Sequence, residues 1–274
     1  MTIVFFGNTK YSIIGAKIIN KAYPISLFVT IPGSPVEHLA NQLKIDVLET
    51  NRLDEKVIEE VASLKPDFLI VEDYGFILPQ EILDLPKYAA LNIHHSLLPK
   101  YRGPSPAPSA ILAGEKISGV TIIRMTEEVD AGDILAQKEY KLTPDETSDS
   151  LLTKLNEIGG QLLVEVIKGY LEGSTKPRQQ DHSKATHTKR FSKKDGYFDI
   201  SNPPSFEKLD RMIRAYYPWP GVWTKWKGKI VKFLPSPRHS ERSEESHYFL
   251  QMEGKRPLSL KDFLNGYPEF PKII

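Results

Sequence analysis

Short apolar runs alternate with segments of helical spacing along the first 140 residues of this 274-residue chain. In a mostly parallel sheet, each crossover between neighbouring strands is normally a helix that covers one face of the sheet. The alternation therefore predicts an α/β fold with a Rossmann-like, mostly parallel sheet and helices on both faces. Strands are predicted at residues 2–6, 25–30, 46–48 and 67–71, and helices at 11–19 and 54–64.

The stretch from residue 89 to residue 103 combines a buried strand with a polar loop. Its apolar run ends in polar residues followed by Pro99, which forces the chain out of the strand. Because alternate residues of a strand share a face, Asn92 and His94 project together while His95 points the other way. An amide that stabilises an oxyanion and an imidazole that moves a proton near neutral pH are the minimum equipment for acyl transfer. Ligands of such sheets bind beyond the carboxyl ends of the strands, where Asn92 and His94 would lie.

A carboxylate that would complete this set lies in the turn EVDAGD at residues 128–133. Asp130 is the candidate because the turn joins two strand-like runs. Taken alone, the D-x-G-D pattern is more often an ordinary turn-former. A buried carboxylate beside His94 would favour the charged imidazole and fix its tautomer.

The full string of motifs resembles the folate-dependent formyltransferases, and within them the methionyl-tRNA formyltransferases most closely. The resemblance implies that Asn92, His94 and Asp130 are the catalytic trio. The implied reaction is attack by the α-amine of initiator methionyl-tRNA on the formyl carbon of 10-formyltetrahydrofolate, through a tetrahedral intermediate whose oxyanion faces Asn92 and His94. Asp130 would hold His94 or a relay water in place. The motifs are Asn92-x-His94-x-Ser96-Leu97-Leu98-Pro99-x-Tyr101-Arg102-Gly103, Gly119-Val120-Thr121 and Asp130-x-Gly132-Asp133.

The same resemblance implies two folate-contacting segments. One is the loop after the strand at 67–71, whose backbone would meet the hydrogen-bonding edge of the pterin ring and whose apolar side chains would form walls. The other is the tetrapeptide that follows His95. Asp73, at the start of the first segment, departs from the small residue that the family usually has there. The implied contacts are Tyr74, Gly75, Phe76, Ile77, Leu78, Ser96, Leu97, Leu98 and Pro99.

Charge is distributed unevenly along the chain, although its sum is only +1. Residues 1–175 carry 16 Lys and Arg against 24 Asp and Glu, and residues 176–274 carry 20 against 11, which gives −8 and +9. A basic half of this kind is either a solvated surface or the partner of a polyanion. We expect a catalytic domain at 1–175, a surface linker at 176–204 and an OB-like domain at 205–274.

The C-terminal third has short β runs bounded by glycine and proline, which indicate a small barrel or meander. Its Pro-Trp-Pro-Gly segment at 218–221 resembles the OB-like domain of the methionyl-tRNA enzymes. We expect Lys225, Lys227, Lys229 and Lys232 to share one face, where they could meet phosphates. Residues 235–247 are polar and low in complexity, so we expect a disordered loop and a shortened barrel.

Two alternatives remain open for the function. The methionyl-tRNA enzymes usually carry a longer, basic loop after the second strand, whereas this chain has no lysine or arginine between Lys21 and Lys44. That departure favours a related acceptor, an amino sugar on a nucleotide, with the same catalysis. A folate- or RNA-binding protein without turnover is the second alternative, and the intact catalytic trio argues against it.

Composition excludes several classes of protein. The chain has no cysteine, which excludes disulfides and thiolate metal sites. The trio offers too few ligands for a closed zinc site, so no metal is expected. No run of the sequence reaches eighteen apolar residues, and we therefore expect neither a membrane span nor a secretory signal. These features fit a cytoplasmic enzyme, which we assume to be a monomer.

Overall fold

The computed structural model describes residues 1–236 and 248–271, and the chain divides into two compact units. The first unit comprises residues 1–106, 117–141 and 152–188. The second unit comprises residues 107–116, 142–151 and those from 189 onward. The domain boundaries predicted at 175 and 204 stay a prediction. Residues 237–247 of the loop predicted to be disordered lie outside the described residues.

A seven-stranded sheet forms the centre of the first unit. Its strands are β1 (Ile3–Gly7), β2 (Leu27–Thr30), β3 (Asp46–Glu49), β4 (Phe68–Glu72), β5 (Ala89–His94), β6 (Ile117–Arg124) and β7 (Ile134–Lys141). They lie in the order β3-β2-β1-β4-β5-β6-β7, with the first five parallel and β6 and β7 antiparallel. The predicted α/β fold with a mostly parallel sheet is therefore confirmed.

The helices of the chain are α1 (Ser12–Ala22), α2 (Pro35–Leu43), α3 (Glu55–Ser63), α4 (Gln80–Leu83), α5 (Pro106–Ala113), α6 (Ser148–Leu171), α7 (Phe206–Ala215) and α8 (Leu260–Gly266). The helices predicted at 11–19 and 54–64 are found within about three residues of those bounds, as α1 and α3. Side-chain caps fix several of the starts. The Ser34 hydroxyl accepts from Glu37 N at the start of α2, and the Asp54 carboxylate accepts from Val57 N at the start of α3.

The central strands are apolar throughout because the sheet is covered on both faces. Every residue of β1 and β4 is buried. On one face, Phe6 and Leu69 belong to the same core cluster as Val61 of α3. On the other face, Phe68 packs edge to face against Tyr170 of α6, with ring centroids 5.6 Å apart. Each large apolar side chain buried in this way contributes about 1.5–3 kcal/mol to stability.

Helices α1 and α6 approach each other closely above β4. A Cβ atom on Gly160 would lie 3.0 Å from the Cα of Gly15, and one on Gly15 would collide with the carboxyl group of Glu72. Glu72 is fully buried, and neither of its oxygens has a hydrogen-bond partner within the described residues. Burial, and next the neighbouring Asp73 carboxylate, raise the pKa of Glu72 well above its ordinary value.

A four-stranded antiparallel sheet forms the second unit's β structure. Its strands are β8 (Val222–Trp226), β9 (Lys229–Pro235), β10 (Tyr248–Met252) and β11 (Leu258–Ser259). They lie in the order β11-β10-β9-β8. The predicted small β domain after the α/β sheet is thus confirmed.

The expectation that four lysines share one face of this sheet is wrong. Residues paired across an antiparallel ladder share a face, and Trp223 pairs with Lys232 whereas Trp226 pairs with Lys229. Lys232 and Lys229 therefore lie on opposite faces. Lys227 and Gly228 both have positive φ and form a tight turn that pairs Trp226 with Lys229. Because these two residues are three positions apart and share a face, the alternation of faces along the sequence does not continue through the turn.

The buried Glu72 should make folding less favourable as the pH rises. An unfolded glutamate ionises at about pH 4.3, whereas the folded group keeps its proton to higher pH. Between those two values the native state binds more protons than the unfolded state, so stability falls with rising pH. We expect Glu72→Gln to raise the free energy of unfolding, with a gain that grows by up to about 1.4 kcal/mol per pH unit.

Urea unfolding at pH 5 and pH 8 measures this gain. Glu59→Gln, on the exposed side of α3, is the matched control and should change stability little at either pH. A gain for Glu72→Gln that is no larger at pH 8 than at pH 5 would show that the carboxyl group is ionised in the folded protein.

Candidate active site

The three candidate catalytic residues come from two segments of the first unit. Asn92 and His94 belong to β5, and Asp130 belongs to the connection between β6 and β7. This connection folds back along β5, because Met125 N donates to Ala90 O while Asp130 Oδ1 lies 3.5 Å from His94 Nδ1. The structure therefore brings Asp130 beside His94 at the carboxyl end of the strand.

Both ring nitrogens of His94 face hydrogen-bond acceptors. Nε2 lies 3.0 Å from the carbonyl oxygen of Tyr101, and Nδ1 faces the carboxylate of Asp130. A carbonyl and a carboxylate can only accept, so each nitrogen is satisfied when it carries a proton. The two side chains are almost entirely buried, which shields their interaction from water. The structure therefore offers a hydrogen-bond acceptor to each ring nitrogen of His94.

Asn92 lies two residues before His94 on the same face of β5. It is partly exposed, and no hydrogen bond to its side chain is found in the part of the chain that the structure describes. Ala90, on this face too, belongs to the same core cluster as Tyr74 and Leu78. The loop after β4 therefore lies over the face that carries Asn92 and His94, with an amide available to a ligand there.

His95 points to the opposite face, as the alternation predicts. Its Nδ1 lies 3.6 Å from Asp73 Oδ1, and its ring also interacts with Asn156 of α6. Burial lowers the pKa of His95, and the Asp73 carboxylate opposes that shift. Asp73, which departs from the family pattern, is thus the partner of His95, on the other side of the sheet from His94.

The predicted pterin loop leaves apolar side chains exposed. Phe76 and Ile77 are 39% and 73% exposed, although such side chains usually lie inside a fold. Tyr74 is buried against Phe6, with ring centroids 5.2 Å apart, and burial raises its pKa to about 12. Gly75 has a φ of 84° and open space around it, which lets the backbone turn outward. The exposed tip of this loop suits contact with an apolar ligand ring.

Some side chains of the predicted folate-contacting tetrapeptide, residues 96–99, make contacts within the protein itself. The Ser96 hydroxyl donates to Lys100 O at 2.7 Å, and Leu98 lies in a buried cluster with Ile123 and Ile134. Leu97 packs against Gly119, where a Cβ atom would be only 2.5 Å from it. Folate contact by Ser96, Leu97, Leu98 and Pro99 stays a prediction.

Segment 176–188, predicted to be a surface linker, contributes residues that the sequence reasoning missed. Gln180 donates to the backbone on both sides of the Asp130 turn, and the hydroxyl of Thr186 accepts from Tyr101 N at 2.8 Å. Arg102, quoted above only as part of a motif, is buried beside Gln180. Nothing in the sequence distinguishes Gln180 from its exposed neighbour Gln179.

Comparison with protein families matches two regions of the chain. The family model described as formyl transferase matches residues 18–167, more than half of the chain. The chain belongs to the formyl transferase family. The model described as formyl transferase, C-terminal domain, matches residues 190–247. Formyl transferases use folate derivatives, so a folate-type donor agrees with this membership.

Relatives with sequence similarity over most of the chain are methionyl-tRNA formyltransferases. The enzyme from Roseiflexus castenholzii is 37% identical over 260 residues, which cover 90% of this chain and 82% of the relative. The enzyme from Chloroflexus aggregans is 40% identical over 248 residues, which cover 85% and 79%. The resemblance inferred from the motifs is thereby confirmed.

Solved structures at 18–19% identity share the fold. A sugar N-formyltransferase from Shewanella sp FDAARGOS_354 has a TM-score of 0.69 and covers 86% of this chain and 97% of its own. Methionyl-tRNA formyltransferase from Clostridium thermocellum has a TM-score of 0.63, with 94% and 99% covered. HypX from Aquifex aeolicus, in complex with tetrahydrofolic acid, has a TM-score of 0.66, with 97% and 47% covered.

Within residues 1–236 and 248–271, no group of three or more His, Asp or Glu side chains is placed to hold a metal ion. No helix in the same ranges combines the length and apolarity needed to cross a bilayer.

Substitutions at the end of β5 separate the catalytic face from the structural one. Loss of an oxyanion donor typically costs about 100- to 1000-fold in kcat, and we expect a loss of this size for Asn92→Ala and a comparable one for His94→Ala. His95→Ala should keep kcat within about threefold, because its ring lies on the other face, although stability falls with the lost Asp73 contact. Steady-state kinetics at saturating substrates would measure all three, and equal losses in kcat at His94 and His95 would contradict the assignment.

Proposed function

We propose that this protein transfers the formyl group of 10-formyltetrahydrofolate to the α-amine of initiator methionyl-tRNA. The observation that carries the chemistry is the His94–Asp130 pair, which lies on the Asn92 face at the carboxyl end of β5. The choice of acceptor is supported by the relatives named above. Their alignments cover most of the chain, and they are methionyl-tRNA formyltransferases. An enzyme of translation initiation acts in the cytoplasm.

In this proposal the three side chains have separate roles. As the amine attacks the formyl carbon, the amide of Asn92 donates to the oxyanion of the tetrahedral intermediate. His94 reaches the reacting groups through Nε2, which exchanges the carbonyl of Tyr101 for them while Nδ1 stays against Asp130. His94 takes up the proton that the amine loses and returns it to the leaving nitrogen of the folate. Asp130 stabilises the imidazolium while it carries that proton.

The donor would occupy the face of the sheet that carries these three residues. The exposed Phe76 and Ile77 offer apolar area to its ring, and the backbone of Tyr74, Gly75 and Leu78 offers hydrogen-bonding groups. The side chain of Asn8 donates to Tyr74 O and so supports the loop from beneath. Among the tetrapeptide residues, Leu97 and Pro99 are the better candidates for side-chain contact, because Ser96 and Leu98 are engaged within the fold.

A polyanionic acceptor needs cations, and the connection from β2 to α2 has none. It consists of residues 31–34 only and contains no lysine or arginine. The second unit offers cations that could take the place of that loop, on the face of its sheet where Trp223 lies opposite Lys232. Lys193 Nζ stands 5.8 Å from the centre of the Trp223 ring, and Gln251 follows Lys232 in the same row. Aromatic rings beside lysines suit the stacking of bases and the binding of phosphates.

Two lysines of this face give a test of tRNA binding. Each phosphate contact that is lost should flatten the dependence of log affinity on log salt by about 0.9 units. We expect Lys193→Ala with Lys232→Ala to raise KM for charged initiator tRNA and to flatten its salt dependence by up to about two units. The kcat at saturating tRNA should hardly change, because the chemistry lies elsewhere.

Lys229→Ala is the matched control, since Lys229 is exposed on the opposite face of the same sheet. It should leave KM and the salt slope near the wild-type values. An equal effect of Lys229→Ala, or an unchanged slope in the double variant, would argue against this surface as the tRNA site.

The short connection after β2 also suits a smaller acceptor, an amino sugar on a nucleotide. The wild-type protein should therefore be incubated with labelled 10-formyltetrahydrofolate and either charged initiator tRNA or amino-sugar nucleotides. We expect label on the tRNA. Transfer to the amino-sugar nucleotides alone would replace the acceptor and keep the catalysis, and transfer to neither would favour a binding protein without turnover.

A further inference from the structure

We infer that Gln180 is a positioning residue, which fixes Asp130 at its distance from His94. The inference rests on the proposed catalytic role of Asp130. The side chain of Gln180 is buried, and its Nε2 donates to two backbone carbonyls of the turn, at 2.8 Å to Asp130 O and 2.7 Å to Gly132 O. One amide group thus bridges the turn that carries the carboxylate.

Arg102 determines which way the amide of Gln180 faces. The Oε1 of Gln180 accepts from Arg102, at 2.9 Å from Nη2 and 3.3 Å from Nε. A guanidinium only donates and a backbone carbonyl only accepts, so one orientation of the amide satisfies both sides. Arg102 is itself 2% exposed, and its backbone bonds to Thr186 and Thr188 hold it in place.

The backbone of the turn has an uncommon conformation. Asp130 has a φ of 54°, in the left-handed region, which residues other than glycine seldom adopt. Such conformations persist only where their surroundings over-determine them. Gly103 N donates to Asp130 Oδ2 at 2.7 Å and holds the carboxylate, while Gln180 holds the carbonyl. Without Gln180, the backbone can relax and carry the carboxylate away from His94.

Tyr101, the other partner of His94, is held by the same segment. Its φ is 62°, its N–H donates to the hydroxyl of Thr186 at 2.8 Å, and its carbonyl faces His94 Nε2. Segment 176–188 therefore fixes both acceptors of the imidazole. Gln180 acts through Asp130, since its bonds run to Arg102 and to the turn and none of them runs to His94.

Two substitutions at Gln180 test this role. Gln180→Glu keeps an acceptor for Arg102 but sets an oxygen against the two carbonyls, and Gln180→Met keeps the volume and removes both sets of bonds. We expect kcat to fall about 10- to 100-fold in each, as for a small misplacement of a reacting group, with both KM values within about threefold. Gln179→Glu and Gln179→Met, at the exposed neighbouring position, should retain wild-type kcat. Thermal melts identify any variant that fails to fold.

A double-mutant cycle with Asp130→Asn distinguishes positioning from a general structural role. Residues that act as a unit have strongly non-additive effects, so Gln180→Glu should cost less than about threefold in the Asp130→Asn background. An undiminished cost in that background, or wild-type kcat in both Gln180 variants while Asp130→Asn lowers kcat, would overturn the inference alone. Wild-type kcat in Asp130→Asn would overturn the proposed catalysis and the inference together.

Discussion

The contact between Asp130 and His94 depends on a turn that the chain adopts only with help from elsewhere. Asp130 has left-handed backbone geometry, and its carbonyl and its carboxylate are each held by a separate hydrogen bond. A third hydrogen bond holds the backbone N–H of Tyr101, whose carbonyl faces His94. These bonds come from Gly103 and from segment 176–188, far away in sequence. The arrangement around His94 therefore combines segments distant in sequence, and pre-organised dipoles of this kind need no rearrangement when charge develops.

The two faces of β5 have different surroundings. One face presents Asn92 and His94 toward the loop after β4, and the other packs beneath α6. That second face also carries unusual polar groups, since His95 pairs with Asp73 there and Glu72 lies buried against Gly15. A buried carboxyl group without a partner costs stability. The cost is lowest when Glu72 holds its proton, which agrees with the raised pKa of that group.

Local patterns predicted the fold, and long-range contacts decided the rest. Strand and helix periods identified the parallel sheet and placed Asn92 and His94 on one face, because alternation is a property of the strand itself. The prediction that four lysines share a face failed because it carried the alternation of one strand through a turn into the next. The tight turn at Lys227 and Gly228 places an even-numbered and an odd-numbered residue on the same face. The role of Gln180 could not be read from the sequence, because burial separates it from Gln179 and burial is set by contacts with residues about 50 and 80 positions away.

The proposed chemistry requires that His94, and not the adjacent His95, meets the formyl donor. Nitrogen-15 NMR of the histidine-labelled protein tests it directly, because the chain has only 7 histidines and His94→Gln and His95→Gln variants assign the two signals. Addition of an unreactive formyl-folate analogue should shift both ring nitrogens of His94 and leave those of His95 nearly unchanged. A shift confined to His95, or no response from His94 at saturating analogue, would exclude His94 from the donor site.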